Sequence, residues 1–418
     1  MDSISIILVM GVLYSYSLIA GRIQGSIITA PLIFVVAGFV LGSSGLGIAN
    51  LDPGHSTTHL VAELTLILVL FADAARIELP QLRRDHNLPV RMLTLGMPLT
   101  IGAGLLMALV LFPDFSIWEA ALLAALLAPT DAALGQSVVS AKSVPVRIRQ
   151  AINVESGLND GIALPAVLLF SALASNEYTD AGSWLGFGLL QISLGPLVGL
   201  ALGFIGARLL DRAAINGWAN KASEGIGVLA LAILIYLVAE HIGGNGFIAA
   251  FIGGITFGNS VRSQCTFLFE FMETEGQLLM LITFLIFGAA LLPDGLAHIN
   301  GASLLYAVLS LTLIRMLPVA LSLLGSGVRA PTSLFLGWFG PRGLASILFA
   351  LLILKESGVP HTDEILSVTV ITVALSTLLH GLSAAPFSTA YGKMVERMGE
   401  CEEIQPVSEI PLREGPTK

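Results

Sequence analysis

Residues 153–161 read Asn153-Val154-Glu155-Ser156-Gly157-Leu158-Asn159-Asp160-Gly161, and the apolar run Ile162 to Ala174 follows without a break. Two acids, an amide and a hydroxyl therefore sit inside a segment apolar enough to cross a membrane, where such groups are costly and mark function. Asn, Asp, Ser and Gly also make turns, but the continuous apolar run argues for a helix. On a helix Glu155 and Asn159 are four residues apart, as are Ser156 and Asp160, so the two pairs lie on adjacent faces. One pair can hold structure while the other holds a cation.

The rest of the chain supplies the membrane. Of its 418 residues 55% are hydrophobic and 12% charged, a composition that excludes a soluble globule and points to a multi-spanning membrane protein. The 44 glycines suit close helix contacts and broken helices. Apolar segments fall at about 4–20, 27–48, 60–75, 92–112, 117–139, 150–174, 184–210, 223–241, 246–259, 266–292, 302–325, 332–354 and 364–388, thirteen spans by periodicity and length. Met1-Asp2-Ser3 lacks the basic start of a signal peptide, so Ile4 to Ala20 is expected to be the first span. Apart from Arg315 and Arg342, every Lys and Arg except Lys355 falls on one side of this arrangement. The positive-inside rule then puts the N-terminus outside and the C-terminus in the cytoplasm. Cys265 and Cys401 fall near that cytoplasmic side, where a disulfide is not expected. The tail, with Glu400, Glu402, Glu403, Glu409 and Glu414 among mixed charges, reads as a solvated end.

Gly38-Phe39-Val40-Leu41-Gly42 and Gly254-Ile255-Thr256-Phe257-Gly258 share one offset with Phe71-Ala72-Asp73-Ala74 and Phe287-Gly288-Ala289-Ala290. Two six-span units separated by one span have opposite topology, the inverted repeat of many secondary transporters. The expected division is a transmembrane domain over 1–388, with repeats at about 1–175 and 223–388, a linker helix at about 184–210 and a short tail over 389–418. Equivalent spans carry Ala128-Pro129-Thr130-Asp131 and Phe339-Gly340-Pro341-Arg342-Gly343. Proline removes a donor and collides with the preceding turn, so both helices should open at mid-membrane. Opening frees carbonyls, and Thr130 offers hard oxygen ligands beside the acid Asp131. Arg342 needs a partner, and Glu155 is the expected one. That pairing leaves Asp160 without a fixed counter-ion, and desolvation disfavours its charged form, so it takes either a proton or a cation. One site that holds either ion, with only occupied forms crossing between inward and outward states, is the simplest basis of antiport.

These three motifs on thirteen spans resemble the NhaP-type sodium/proton antiporters of the monovalent cation/proton antiporter-1 family, over essentially the whole membrane region. The resemblance implies an all-α membrane protein with two inverted six-helix repeats and crossing broken helices, working as a homodimer in the cell inner membrane. It implies that Asp160 binds both ion and proton, and that Ser156 and Thr130 are ligands. Asp131 would act directly or through water, and Asn159, Glu155 and Arg342 would form a stabilising cluster. Asp73 stands where members often have an acid that lines the approach or joins the ion's shell. Electrogenic relatives have Asp-Asp where this chain has Asn159-Asp160, together with an intramembrane lysine that this chain lacks. The resemblance therefore implies one Na+ or Li+ expelled per proton admitted, without net charge movement; K+/H+ exchange on the same fold and a passive channel are the alternatives. Arg315 resembles a recurrent family arginine and reads as a packing residue, and His380 reads as an interfacial histidine. No Rossmann fingerprint, P-loop or Cys/His cluster suggests an enzyme, a cofactor, ATP use or nucleic-acid binding. The expected partners are H+, the transported cation, membrane lipid and a second copy of the chain.

Overall fold

The computed structural model describes residues 3–23, 28–49, 56–77, 79–80, 87–131, 134–175, 181–261, 276–354, 358–399 and 401–405. Lys355, Cys265, Arg83, Arg84, Arg262 and the tail beyond 405, on which part of the topology reading rests, lie outside these residues. The described residues are helical and contain no strand. The helices are α1 (Ser3–Ile23), α2 (Ala30–Leu41), α3 (Ser56–Ala75), α4 (Asn87–Leu111), α5 (Ile117–Leu126), α6 (Val146–Ala174), α7 (Ala181–Ile215), α8 (Lys221–His241), α9 (Gly246–Ser260), α10 (Gln277–Ala297), α11 (Gly301–Ser322), α12 (Ala330–Trp338), α13 (Leu344–Phe349) and α14 (Thr362–Met398). Among the described residues nine helices are long and apolar enough to cross a membrane, and α2, α5 and α9 are shorter apolar helices. Each segment drawn from the sequence contains a described helix.

Local chemistry sets where the helices start. Ser116 with Glu119, Asn220 with Ser223 and Asn300 with Ser303 form reciprocal capping boxes at the heads of α5, α8 and α11. Each satisfies donors that the first turn leaves open. Proline stands in the first turn of α2 and α12, where its missing N–H costs nothing.

The glycine motifs matched by the common offset serve one purpose. A Cβ on Gly38 would lie 2.1 Å from the Leu285 carbonyl oxygen, and one on Gly42 would lie 2.5 Å from that of Ala289. In the other repeat, a Cβ on Gly254 would lie 2.1 Å from the Phe71 carbonyl oxygen and one on Gly258 2.0 Å from that of Ala75. Thus α2 lies backbone-to-backbone on α10, and α9 lies in the same way on α3. Each repeat presses its glycine pair into the other repeat, and only small residues permit that approach.

The two proline-marked spans are interrupted as expected. α5 ends at Leu126, the chain runs irregularly through Asp131, and a short helix resumes at Gln136–Val139. α12 ends at Trp338, and α13 begins at Leu344 after a non-helical stretch. Non-helical backbone at this depth is tolerated only where its polar groups find partners inside the protein.

The described tail residues, which end at 405, depart from the reading of the tail as a solvated end. α14 continues past 388 to Met398, and Gly399, at φ 69°, turns the chain back in a left-handed conformation that favours glycine. Glu402 then pairs with Arg147 at 2.7 Å, while Glu403 accepts hydrogen bonds from the Arg329 N–H at 2.9 Å and the Thr332 hydroxyl at 2.8 Å. Arg147 belongs to α6, and Arg329 is the residue before α12. The tail therefore joins the feet of the two helices that carry the central motifs. Burial works against the Glu403 charge, but the hydrogen bonds from Arg329 and Thr332 outweigh it and hold the carboxyl below its ordinary value. Its stabilising contribution is complete above the ordinary glutamate value of about 4.3 and is lost as pH falls through the lower folded value. A carboxylate cap of this kind contributes about 1 kcal/mol. Glu403→Gln is expected to lower the melting temperature in detergent at neutral pH, by a margin that closes on acidification. A margin that does not vary with pH would remove the charge from this account.

Candidate functional site

The two breaks face each other and are stitched together. The Asp131 N–H donates to the Pro341 carbonyl at 2.8 Å, and the Leu344 N–H donates to Asp131 Oδ2 at 2.7 Å, so Asp131 caps the helix that resumes after the second break. A Cβ on Gly343 would fall 2.1 Å from the same Asp131 oxygen, so a residue without a side chain is needed there. In the opposite direction, Arg342 Nη1 donates to the carbonyls of Ala128 at 2.8 Å and Pro129 at 3.1 Å, and the Ser346 hydroxyl donates to that of Leu126 at 2.7 Å. These are the unsatisfied carbonyls at the C-terminal end of α5, where partial negative charge collects. A cation and a hydroxyl from one broken helix thus complete the open end of the other.

The expected Glu155–Arg342 pair is corrected by this geometry. Glu155 Oε1 instead accepts from Arg315 Nη2 at 2.5 Å, with both side chains 2% exposed. The reason is local: the opening of α5 strands the Ala128 and Pro129 carbonyls, and Arg342 turns its Nη1 to them. Arg315, on α11, is left to neutralise the acid on α6. Glu155 Oε2, Arg315 Nε, and Nε and Nη2 of Arg342 are buried without protein partners.

Above this cluster lie the expected ligands. Thr130 Oγ1 is 3.1 Å from Ser156 Oγ and accepts from Asn159 Nδ2 at 2.5 Å. Thr130, Ser156 and Asn159 are all buried. Asn159 thereby fixes the Thr130 hydroxyl, while its own Oδ1 and Oδ1 of Asp160 are buried without protein hydrogen bonds. Two unsatisfied oxygens beside two hydroxyls are what a hard monovalent cation would use; left alone, such groups are costly. Asp131 and Asp73 are the acids whose charges act on Asp160. Asp73 comes from α3, whose backbone passes α6 at Gly157, close to Asp160. The structure therefore gathers Thr130, Ser156, Asn159 and Asp160 at the crossing, with Asp131 spending one oxygen on the α13 cap and Asp73 nearby.

Sequence reasoning understated three residues. Arg315 was read as packing, although its position in an apolar span demanded a partner. His380 was read as interfacial and Ser376 was passed over, although the two stand four residues apart in the apolar span α14. Ser376 Oγ accepts from the Arg342 N–H at 2.7 Å, and His380 Nε2 lies 2.8 Å from the Trp338 carbonyl.

Known proteins share this fold. The structure of the sodium proton antiporter MjNhaP1 from Methanocaldococcus jannaschii at pH 8 superposes with a TM-score of 0.78, covering 95% of this chain and 99% of that one. At 22% identity this likeness speaks for the fold alone. The K(+)/H(+) antiporter NhaP of Alkalimonas amylolytica is 28% identical over 99% of this chain and 72% of its own length. The K(+)/H(+) antiporter NhaP2 of Shewanella sp. (strain ANA-3) is 27% identical over 84% of this chain, and the Na(+)/H(+) antiporter ApNhaP of Aphanothece halophytica is 26% identical over 77%. This chain spans only 61% and 62% of the lengths of those last two relatives. Residues 5–390 match the model of the family described as sodium/hydrogen exchanger, transmembrane, and the chain belongs to that family.

Proposed function

We propose that the protein is a secondary antiporter that expels a monovalent cation from the cytoplasm in exchange for an external proton, both ions competing for Asp160. The observation that carries this reading is the buried Oδ1 of Asp160, without a protein partner, beside the unsatisfied Oδ1 of Asn159 and the Thr130–Ser156 hydroxyl pair. Thr130, Ser156 and Asp160 would ligate the ion. Asp131 would join directly or through water, and Asp73 would complete the shell or line its approach. Asn159 positions Thr130, while Glu155, Arg315 and Arg342 hold the crossing together. With one titrating carboxylate the exchange is one cation for one proton and carries no net charge.

Protonation neutralises Asp160 in one half of the cycle and the cation neutralises it in the other. A bare buried carboxylate is too costly to carry across, so the empty site does not switch. Sodium, with lithium, is the substrate we assign from the motif resemblance. Potassium is the second reading, favoured because two of the three relatives named above are K(+)/H(+) antiporters. The carrier would sit in the inner membrane as a homodimer, N-terminus outside and C-terminus cytoplasmic, with the repeats, linker helix and tail divided as the sequence suggests.

Proteoliposomes with a preset pH gradient test this. Addition of Na+ or Li+ is expected to dissipate the gradient at a rate unchanged by a valinomycin voltage clamp. Dissipation by K+ alone would replace the substrate and keep the mechanism. Rates that follow voltage would overturn the one-for-one exchange.

A further inference from the structure

Proline explains why the helix between Ala330 and Phe349 breaks, but not why it stays open. Pro341 abolishes the hydrogen bond its own missing N–H would have made, to the residue four positions earlier, and its ring crowds that residue's carbonyl, effects that a kinked but continuous transmembrane helix can absorb. The next bond of a continuous helix, from the Arg342 N–H to the Trp338 carbonyl, remains chemically available. In the structure both groups are occupied, and by the same neighbour. The Arg342 N–H donates to Ser376 Oγ at 2.7 Å, Ser376 Oγ lies 3.2 Å from His380 Nδ1, and His380 Nε2 lies 2.8 Å from the Trp338 carbonyl oxygen. Ser376 and His380 stand four residues apart on one face of α14, 0% and 1% exposed. The second donor to Trp338 is the Gly340 N–H at 2.8 Å, closing a tight turn at Phe339, whose φ of −82° and ψ of 54° are those of an inverse γ-turn.

The proton positions follow from the partners. A carbonyl only accepts, so Nε2 carries hydrogen and donates to Trp338. Nδ1 then accepts from the Ser376 hydroxyl, whose oxygen in turn accepts from Arg342. Nδ1 also lies 3.0 Å from the Ser376 carbonyl, the contact a ring protonated on Nδ1 would use. A ring protonated there alone would set two lone pairs against each other at Trp338 at 2.8 Å, a closer opposition than the 3.0 Å one that the Nε2 tautomer leaves at the Ser376 carbonyl, and a doubly protonated ring would bury a third cation near Arg315 and Arg342.

We infer that Ser376 and His380 are positioning residues for ion exchange: inserted between the Arg342 N–H and the Trp338 carbonyl, they replace the helix bond and hold the break open. The inference rests on the antiport reading for its functional consequence. Three contacts depend on the open geometry: Asp131 N–H to the Pro341 carbonyl, Leu344 N–H to Asp131, and the Arg342 head to Ala128 and Pro129. If the helix bond re-formed, Pro341 and Arg342 would be drawn toward Trp338, and Thr130 and Asp131 would shift relative to Asp160.

Two measurements on Ser376→Ala, His380→Ala, the double variant and Ser376→Thr test this. Cation-dependent proton flux is expected to show an apparent cation KM raised about tenfold in each alanine variant, as for displaced ligands. The double variant should be no worse than the poorer single one, because both changes interrupt one relay. Ser376→Thr, which keeps the hydroxyl, should recover most of the affinity. Purely structural side chains would lower the melting temperature and leave KM alone. Hydrogen exchange of the peptide spanning 338–344 in detergent gives a readout independent of transport: faster exchange is expected in Ser376→Ala, but not in Ser376→Thr. If the wild-type protein shows no cation-dependent flux, the antiport reading fails, and this second readout still decides whether the relay holds the break. Unchanged KM in the alanine variants, shifts that multiply in the double variant, or unchanged exchange in Ser376→Ala would overturn the inference.

Discussion

Asp160→Asn is expected to reduce cation-dependent proton flux to that of protein-free liposomes while the protein remains folded. Asparagine matches aspartate in shape but can neither take up a proton nor neutralise a cation, so both halves of the exchange lose their common site. The fold loses little, because Oδ1 of Asp160 makes no hydrogen bond to the protein. Asparagine needs neither the proton nor the cation that neutralises Asp160, so the melting temperature should hold. Loss of flux in a protein that melts as well as the wild type separates a transport residue from a structural one. Normal exchange by Asp160→Asn would place the ion elsewhere.

Arg315→Ala has the opposite profile. Arg315 and Glu155 are each 2% exposed, and removing the arginine strands a carboxylate in the protein interior. Breaking a buried pair from one side costs about 3–5 kcal/mol. The variant should therefore show a large fall in melting temperature in detergent and reduced yield, whatever remains of its transport. Replacing both members by apolar residues of similar volume should be less harmful than removing Arg315 alone, because no charge is left unpaired. Arg342→Ala is a different experiment: it leaves Glu155 its partner and strands the Ala128 and Pro129 carbonyls instead. Its effect should fall on the crossing and hence on transport. An Arg315→Ala protein that melts like the wild type would refute the role assigned to this pair.

Much of this was legible from residue order alone. Apolar run lengths marked the spans, Pro129 and Pro341 marked the breaks, and the shared offset of Gly38/Gly42 with Gly254/Gly258 marked the repeat. Helical spacing paired Ser156 with Asp160 and Glu155 with Asn159, and the family resemblance implied that Thr130 joins them where the two opened helices cross. The partner of Glu155 was not legible. Two buried arginines stood available, and the choice between them turns on which one lies nearest the carbonyls freed by the opening of α5, a three-dimensional fact. The splint of Ser376 and His380 was hidden for a related reason: a serine and a histidine on an apolar helix have many bland uses until their neighbours are known. The fold-back of the described tail escaped because its acids read as solvated, whereas beyond Gly399 Glu402 meets Arg147 and Glu403 meets Arg329 and the first turn of α12.

The central claim is that one carboxylate is shared by proton and cation. It is tested most directly by the apparent cation KM of the wild-type protein in proteoliposomes, measured at a series of pH values kept equal on both faces. Competition at Asp160 predicts an unchanged maximal rate and a KM that climbs on acidification, approaching about tenfold per pH unit once the carboxyl is mostly protonated. A KM that stays constant while the maximal rate falls would put proton and cation on separate sites. A climb approaching a hundredfold per pH unit would mean that a second acid takes up a proton with Asp160, and either result would contradict the single-site account.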